Sequence, residues 1–294
     1  MNSRSIKQKV ISYYDQDATG YAKMYSSGFR GYPTNVARLN LILERLKRDK
    51  NIKILDVGCG SAMPILHMLN KGYQVEGFDF SKEMVKVGKD LLIKKGYKPN
   101  TIYQADLEDF KTIKAKKYNC VLALGVFPHI LDEKKALKNI NKLLTKKGKV
   151  FIEFRNDLFS LFTFNKYSLQ FVLYKLLEHK KIPKKIFKDI ENTLKKRLNL
   201  NNIPSREKNK ISYNDILSKF HNPLTIENEL FKPCGFSVNK IHYYHYHGLM
   251  PFFREKYPSV FRDLSIQMED PNNWKGMFMA SAFVVEATKY ESVN

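Results

Sequence analysis

Apolar positions change period repeatedly along the chain. Residues 34–48 set Val36, Leu39, Leu43 and Leu46 at helical spacing. Residues 52–57 then run Ile-Lys-Ile-Leu-Asp-Val, a β-branched stretch of the kind that fills a central parallel strand. Further strands are predicted over 74–79, 101–105, 118–124 and 150–154. Helical patterns separate them. One carries Ile65, Leu66, Met68 and Leu69; one spans 82–95 with Ser81 as its N-cap and Gly96 past its end; one covers 134–144, with Gly148 following. Strands alternating with helices specify an α/β fold with a parallel, doubly wound sheet. Two last strands are expected over 236–247 and 277–286, and a tyrosine-bearing helix over 6–30, ended by Gly28, Gly31 and Pro33.

The turn after the first strand, Gly58-Cys59-Gly60-Ser61-Ala62, carries the chemistry. Glycines there let backbone approach a ligand where a side chain would collide. In a doubly wound sheet a ligand is expected at this carboxyl end. Met63 stands where a dinucleotide fingerprint needs Gly or Ala, and no Gly-Lys-Ser/Thr follows, which excludes a nucleoside-triphosphate loop. Asp79 ends the second strand about 20 residues on, the place of a carboxylate that accepts ribose hydroxyls. The ligand reads as a nucleoside without a pyrophosphate.

Asp56-x-Gly58-x-Gly60, then Asp79, then Gln104-Ala105-Asp106 resemble the successive motifs of class I S-adenosylmethionine-dependent methyltransferases. The resemblance is close over about residues 50–155 and looser near the end. It implies a Rossmann-like seven-stranded sheet of order 3-2-1-4-5-7-6, with helices on both faces and a helical cap. It implies S-adenosyl-L-methionine as cofactor and S-adenosyl-L-homocysteine as product. Asp56, Gly58 and Gly60 would hold the methionine part, Asp79 the ribose and Asp106 the adenine amino group. Phe80, Leu107 and Leu124 are counted with them as cofactor-binding. A leading segment folds over the cofactor in many members, so Tyr21 and Tyr25, four apart on one helix face, are candidates to touch the sulfonium. Ala62 departs from the pattern, replacing a third glycine. The expected division is a lid segment over 1–50, a cofactor-binding core over 51–154, a cap over 155–232 and closing strands over 233–294.

The acceptor side is less determined. His129, in the loop after the fourth strand, matches a histidine common among small-molecule members and is a candidate base. His245 and His247 are further candidates, within the His-Tyr-Tyr-His-Tyr-His run at 242–247. In a regular strand His245 shares a face with Tyr243 and His247, and His242 with Tyr244 and Tyr246. No Asp/Asn-Pro-Pro-Tyr occurs, which argues against amino-group methylation of adenine, cytosine or glutamine. No dedicated metal site is expected.

Charge and composition adjust this picture. The net charge is +22, from 51 Lys and Arg against 29 Asp and Glu. It suits an anionic partner (RNA, a membrane surface or a phosphorylated substrate), or simply lysine-rich solvated helix faces. The run at 180–197 is the best candidate for a genuine patch. Three scattered cysteines, with no signal-peptide pattern and no apolar run of about 18 residues, suggest a cytoplasmic chain without disulfides. The expected activity is methylation of a small-molecule acceptor, an anionic one among the candidates, most simply at a hydroxyl of a sugar, nucleotide-linked sugar or surface-polysaccharide unit. N- or S-methylation of a metabolite is the alternative. An RNA-modifying enzyme would be the reading if the charge serves nucleic acid, although no RNA-binding module is visible. A non-catalytic protein that kept the pocket is disfavoured by the three aspartates.

Overall fold

In the computed structural model, residues 3–16, 34–46, 51–177, 179–198 and 216–290 are described. The strands are β1 Lys53–Val57, β2 Gln74–Asp79, β3 Ile102–Gln104, β4 Tyr118–Ala123, β5 Leu144–Arg155, β6 Phe236–Tyr246 and β7 Ala280–Lys289. They form one seven-stranded sheet of order β3-β2-β1-β4-β5-β7-β6, as expected. Pairings are parallel from β3 to β5, whereas β7 runs antiparallel to both β5 and β6.

Period-two alternation gives the sheet two apolar faces. Leu55 and Val57 of β1, Val121 and Ala123 of β4, and Ile152 and Phe154 of β5 enter one core cluster. Ile54, Leu122 and Phe151, their neighbours along the chain, enter the other. Helix α1 spans Ser3–Gln16, α2 Thr34–Leu46, α3 Met63–Asn70, α4 Lys82–Lys94 and α5 Glu133–Leu143. The second cluster takes Leu39, Ile42 and Leu43 of α2, Ile65 and Met68 of α3, and Val85 and Leu92 of α4. The first takes Ala136, Leu137, Ile140 and Leu143 of α5. A sheet covered on both faces explains the near-continuous apolar strands.

Capping follows the sequence closely. Ser81 Oγ accepts from the Met84 amide at 3.0 Å, and Asp132 accepts from the Lys135 amide at 2.9 Å. Boundaries move where tertiary contacts intervene. β5 begins at Leu144, directly after α5, because Leu144 pairs with Tyr118 before Lys147 (φ 57°) turns the chain through a bulge. β7 begins at Ala280, three residues later than expected. The buried Asn156 side chain donates to the carbonyls of Gly276, Met277 and Ala280 at 3.3, 2.9 and 2.9 Å, holding residues 276–279 in a helical turn. Of the helix expected over 6–30, only Ser3–Gln16 is described; Tyr21 and Tyr25 lie outside the described residues.

Between β5 and β6 the described chain carries short helices joined by loops. It includes α6, Lys166–Phe171, continued by a wider turn over Val172–Leu176, and α7, Lys184–Arg197. Helix α8, Pro258–Gln267, lies between β6 and β7.

Phe154 sits at the centre of the first cluster. Its ring is 5.2 Å from Phe127 and 5.8 Å from both Phe231 and Phe283, centroid to centroid. Removing it leaves a cavity that four fixed elements cannot close, so Phe154→Ala should lower the unfolding free energy by about 3–5 kcal/mol in urea titration. The half-exposed Phe252 is the control, with an expected change within about 0.5 kcal/mol.

Candidate active site

A cleft of about 760 Å³, including its open mouth, lies across the carboxyl ends of β1, β2 and β4. Gly58, Gly60, Asp79, Phe80, Asp106, Leu107, Leu124 and His129 all line it. Eight of the expected residues thus meet in one place, with Asp56 behind them in the buried end of β1.

The glycine loop owes its shape to left-handed backbone. Gly58, Gly60 and Ala62 have φ of 68°, 52° and 61°. The Gly58 and Cys59 amides both donate to the Phe78 carbonyl, at 2.8 and 3.1 Å, so the turn is tied to β2. A Cβ on Gly58 would collide with the Val126 side chain. Ala62 takes the strained conformation that a third glycine would take freely.

The acids differ in their surroundings. Asp79 accepts from the Gly60 amide at 2.8 Å and the Ser81 amide at 2.9 Å. The Phe80 amide also favours its charged form, and a carboxylate with about four acceptor positions keeps capacity for a further donor. Burial pushes Asp79 up to about 6, against the pull of its backbone donors. Asp56 is buried, and its Oδ2 has no hydrogen-bond partner among the described residues. Burial pushes its carboxyl up to about 7, with Arg38 drawing it down only in part and Asp79 adding repulsion. Asp106 is more open and accepts from the Glu108 amide at 2.9 Å.

Helix α1 closes over this cleft. Lys7 pairs with Asp106 and, at 3.2 Å, with Glu108. Burial works against the Lys7 charge, yet Asp106 and Glu108 outweigh it and its pKa is raised. Ser81 Oγ donates to Asp15. Tyr14 Oη lies 2.9 Å from His129 Nε2, and His129 Nδ1 lies 2.6 Å from the Leu217 carbonyl. A carbonyl only accepts, so Nδ1 carries the proton, Nε2 is the basic nitrogen, and the Tyr14 hydroxyl donates to it. Burial, opposed by the Leu217 bond, holds His129 down to about 4. Lys7 and Tyr14 carried no signal beyond sitting in a leading helix with tyrosines.

His245 and His247 do not line the cleft. The expected alternation breaks at His245, whose φ is 58°. Tyr243 and Tyr246, expected on opposite faces, both reach Gly276. His245 Nδ1 meets Ser281 Oγ at 2.8 Å. The His247 ring lies 4.7 Å from Phe159 and 5.3 Å from Phe261, and burial lowers its pKa to about 4. His242 meets Glu286 at 3.0 Å.

A buried network beside the cleft escaped sequence reasoning. Glu153 of β5 takes an ion pair from Arg38 of α2 and a hydrogen bond from the Tyr244 hydroxyl. Its signal was available: a carboxylate within the apolar run 150–154 needs a partner wherever the strand is buried.

Comparison with known proteins fits this geometry. A methyltransferase-domain family model matches residues 48–192. The chain is 30% identical over 166 residues to a ubiquinone biosynthesis O-methyltransferase of Vibrio atlanticus, covering 54% of this chain and 69% of that one. To the enzyme of the same name in Vibrio campbellii it is 30% identical over 122 residues, covering 42% of this chain and only 52% of that one. The chain thus spans between half and about two thirds of these relatives' length. The fold is shared with magnesium protoporphyrin IX methyltransferase of Synechocystis PCC 6803 with bound SAH, at a TM-score of 0.56 and 14% identity over 97% of this chain and 99% of that one. It is shared equally with a 4+2 cyclase, SpnF, at a TM-score of 0.58 and 13% identity over 97% and 96% of the two chains. The chain belongs to the class I S-adenosylmethionine-dependent methyltransferases. It is an enzyme of methyl transfer, and its cofactor is S-adenosylmethionine.

The residues present fit that cofactor. An orphaned, buried carboxylate oxygen on Asp56 suits a cation, and a side chain at Gly58 would collide with Val126. Asp56 has a folded pKa raised above its unfolded value near 4, so its contribution to stability is present below about pH 4 and lost as pH rises through about 7. Asp56→Asn should therefore raise the melting temperature of the ligand-free protein at about pH 8 and change it little at about pH 5. Differential scanning fluorimetry at the two pH values checks the sign.

Proposed function

We propose that this enzyme methylates a hydroxyl group of a small molecule, with His129 as the base. One observation carries the reading: the Leu217–His129–Tyr14 chain sets the basic Nε2 on the wall of the cleft, beside the glycine loop. When bound, S-adenosylmethionine supplies an activated methyl group on a sulfonium. The protein then has to hold both partners in line and receive a proton. In this reading Asp79 accepts from the ribose hydroxyls with its remaining acceptor capacity. Asp56 meets the ammonium of the methionine part, and Asp106 accepts from the adenine amino group. Phe80, Leu107 and Leu124 supply apolar walls. Tyr14 holds the imidazole until the acceptor hydroxyl takes its place at Nε2, and that hydroxyl passes its proton to His129.

The strength of this base favours one hydroxyl class over another. A histidine held near 4 is neutral throughout the physiological range, but it is a weak base. A phenol, with a pKa near 10, demands far less of it than the less acidic hydroxyl of a sugar. The O-methyltransferases of ubiquinone biosynthesis among the relatives support a phenolic acceptor, and none of the relatives named above points to a sugar or polysaccharide unit. We therefore prefer a phenol to the sugar expected from sequence. An anionic substituent on it would be favoured by the net charge of +22. The buried free thiols Cys59, Cys120 and Cys234 fit work in the reducing cytoplasm. The lid (1–50) and cap (155–232) assignments belong to the same proposal, supported by the contacts of α1 and by Leu217.

Calorimetric titration with S-adenosylhomocysteine should give micromolar binding, and Asp79→Ala should lose about 1–3 kcal/mol of it. No binding by the folded parent would sink the site assignment. With a phenolic acceptor in hand, His129→Ala should lower kcat by about 10²–10⁴ with little change in cofactor affinity. The acid limb of kcat/KM should fall near pH 4 rather than near the ordinary histidine value of about 6.5. An unchanged kcat in His129→Ala would remove the base and leave a sulfur or amine acceptor as the better reading.

A further inference from the structure

Helix α7 has the make-up of a surface-lying amphipathic helix. Its 14 residues read Lys-Lys-Ile-Phe-Lys-Asp-Ile-Glu-Asn-Thr-Leu-Lys-Lys-Arg, and none of them is buried. At 3.6 residues per turn, Ile186, Phe187, Ile190 and Leu194 fall in one arc. Lys184, Lys185, Lys188, Lys195 and Lys196 fall in the opposite one. Inside a globular domain such an apolar stripe would be covered. Here Phe187, Ile190 and Leu194 are half-buried, Phe187 lying 5.9 Å from the rings of Tyr174 and His179. Ile186 is 54% exposed, and Leu176, in the turn that precedes the helix, 59%. Six basic residues against Asp189 and Glu191 leave the helix strongly positive, and one of the acids, Glu191, is already paired with Lys195 at 2.8 Å.

We propose that α7 docks this enzyme on an anionic lipid surface, with its apolar stripe at the headgroup boundary and its lysines among the phosphates. The composition is the one that makes a helix lie in a membrane interface: a basic polar face, a narrow apolar face and low overall hydrophobicity. Among the described residues no helix is long and apolar enough to cross a membrane, so the attachment is peripheral. A nucleic acid would use the lysines but gain nothing from an exposed Ile and Leu, which is why lipid is the better match. The inference stands independently of the acceptor assigned above.

Co-sedimentation of the full chain with vesicles tests it. The protein should pellet with vesicles containing phosphatidylglycerol and not with phosphatidylcholine alone, and added salt should release it. The triple variant Lys184→Gln, Lys185→Gln, Lys188→Gln should partition roughly a hundredfold less, about fivefold per lysine. Ile186→Ser with Leu176→Ser should also weaken binding, while S-adenosylhomocysteine titration and circular dichroism match the parent. The proposal is overturned if the parent ignores both kinds of vesicle, or if neither variant changes partition. It is equally overturned if the lysines govern binding to bulk tRNA without any to lipid, or if light scattering shows a dimer that Ile186→Ser dissolves.

Discussion

The site depends on one steric constraint: the chain leaving β1 must turn without a side chain. β1 is buried on both faces, so its end can open only along the sheet axis, at the carboxyl edge. Gly58 turns there at a φ of 68°, and Val126 occupies the space a Cβ would need. The turn is then pinned from β2, by the Phe78 carbonyl and by Asp79, whose carboxylate receives the Gly60 amide. Strand order makes these three loops neighbours. β1 lies between β2 and β4, so the ends of all three face the same cleft. A substitution at Gly58 would therefore act on the loop, on β2 and on the β4 loop at once.

Electrostatics shape the same cleft. Asp56 and Asp79 are both held above their ordinary values by burial, and each gains from a positively charged or donor-rich ligand. Such acids cost stability in the free protein and return it on binding, as expected of a pocket organised before its ligand arrives. The outer rim is handled differently. Asp106 and Glu108 are more accessible and meet Lys7 from α1.

Much of this is legible in the sequence itself. The period-two and period-3.6 patterns located the strands and core helices, since burial on both sheet faces imposes them directly on sequence. Asp79 was legible because strand length fixes where β2 ends. What escaped depended on contacts distant in sequence. Asn156 delays β7 by binding three carbonyls more than a hundred residues away, and nothing local announces that. The left-handed residue at His245 was hidden because alternation assumes regular backbone. Tyr14 meets the histidine of the cleft, and no periodicity argument ranks tyrosines on one helix.

The sharing of this fold with a cyclase carries a further consequence. If one backbone serves two chemistries, the glycine loop and its acids define what is bound, and the opposite wall defines what is done with it. On that wall the chain places a neutral histidine and, behind it, the Arg38–Glu153–Tyr244 network. A buried ion pair of this kind is a poor source of stability, because desolvation offsets most of its attraction. It ties α2, β5 and β6 together through the one carboxylate of Glu153. That in turn fixes the end of β5, where Arg155 stands.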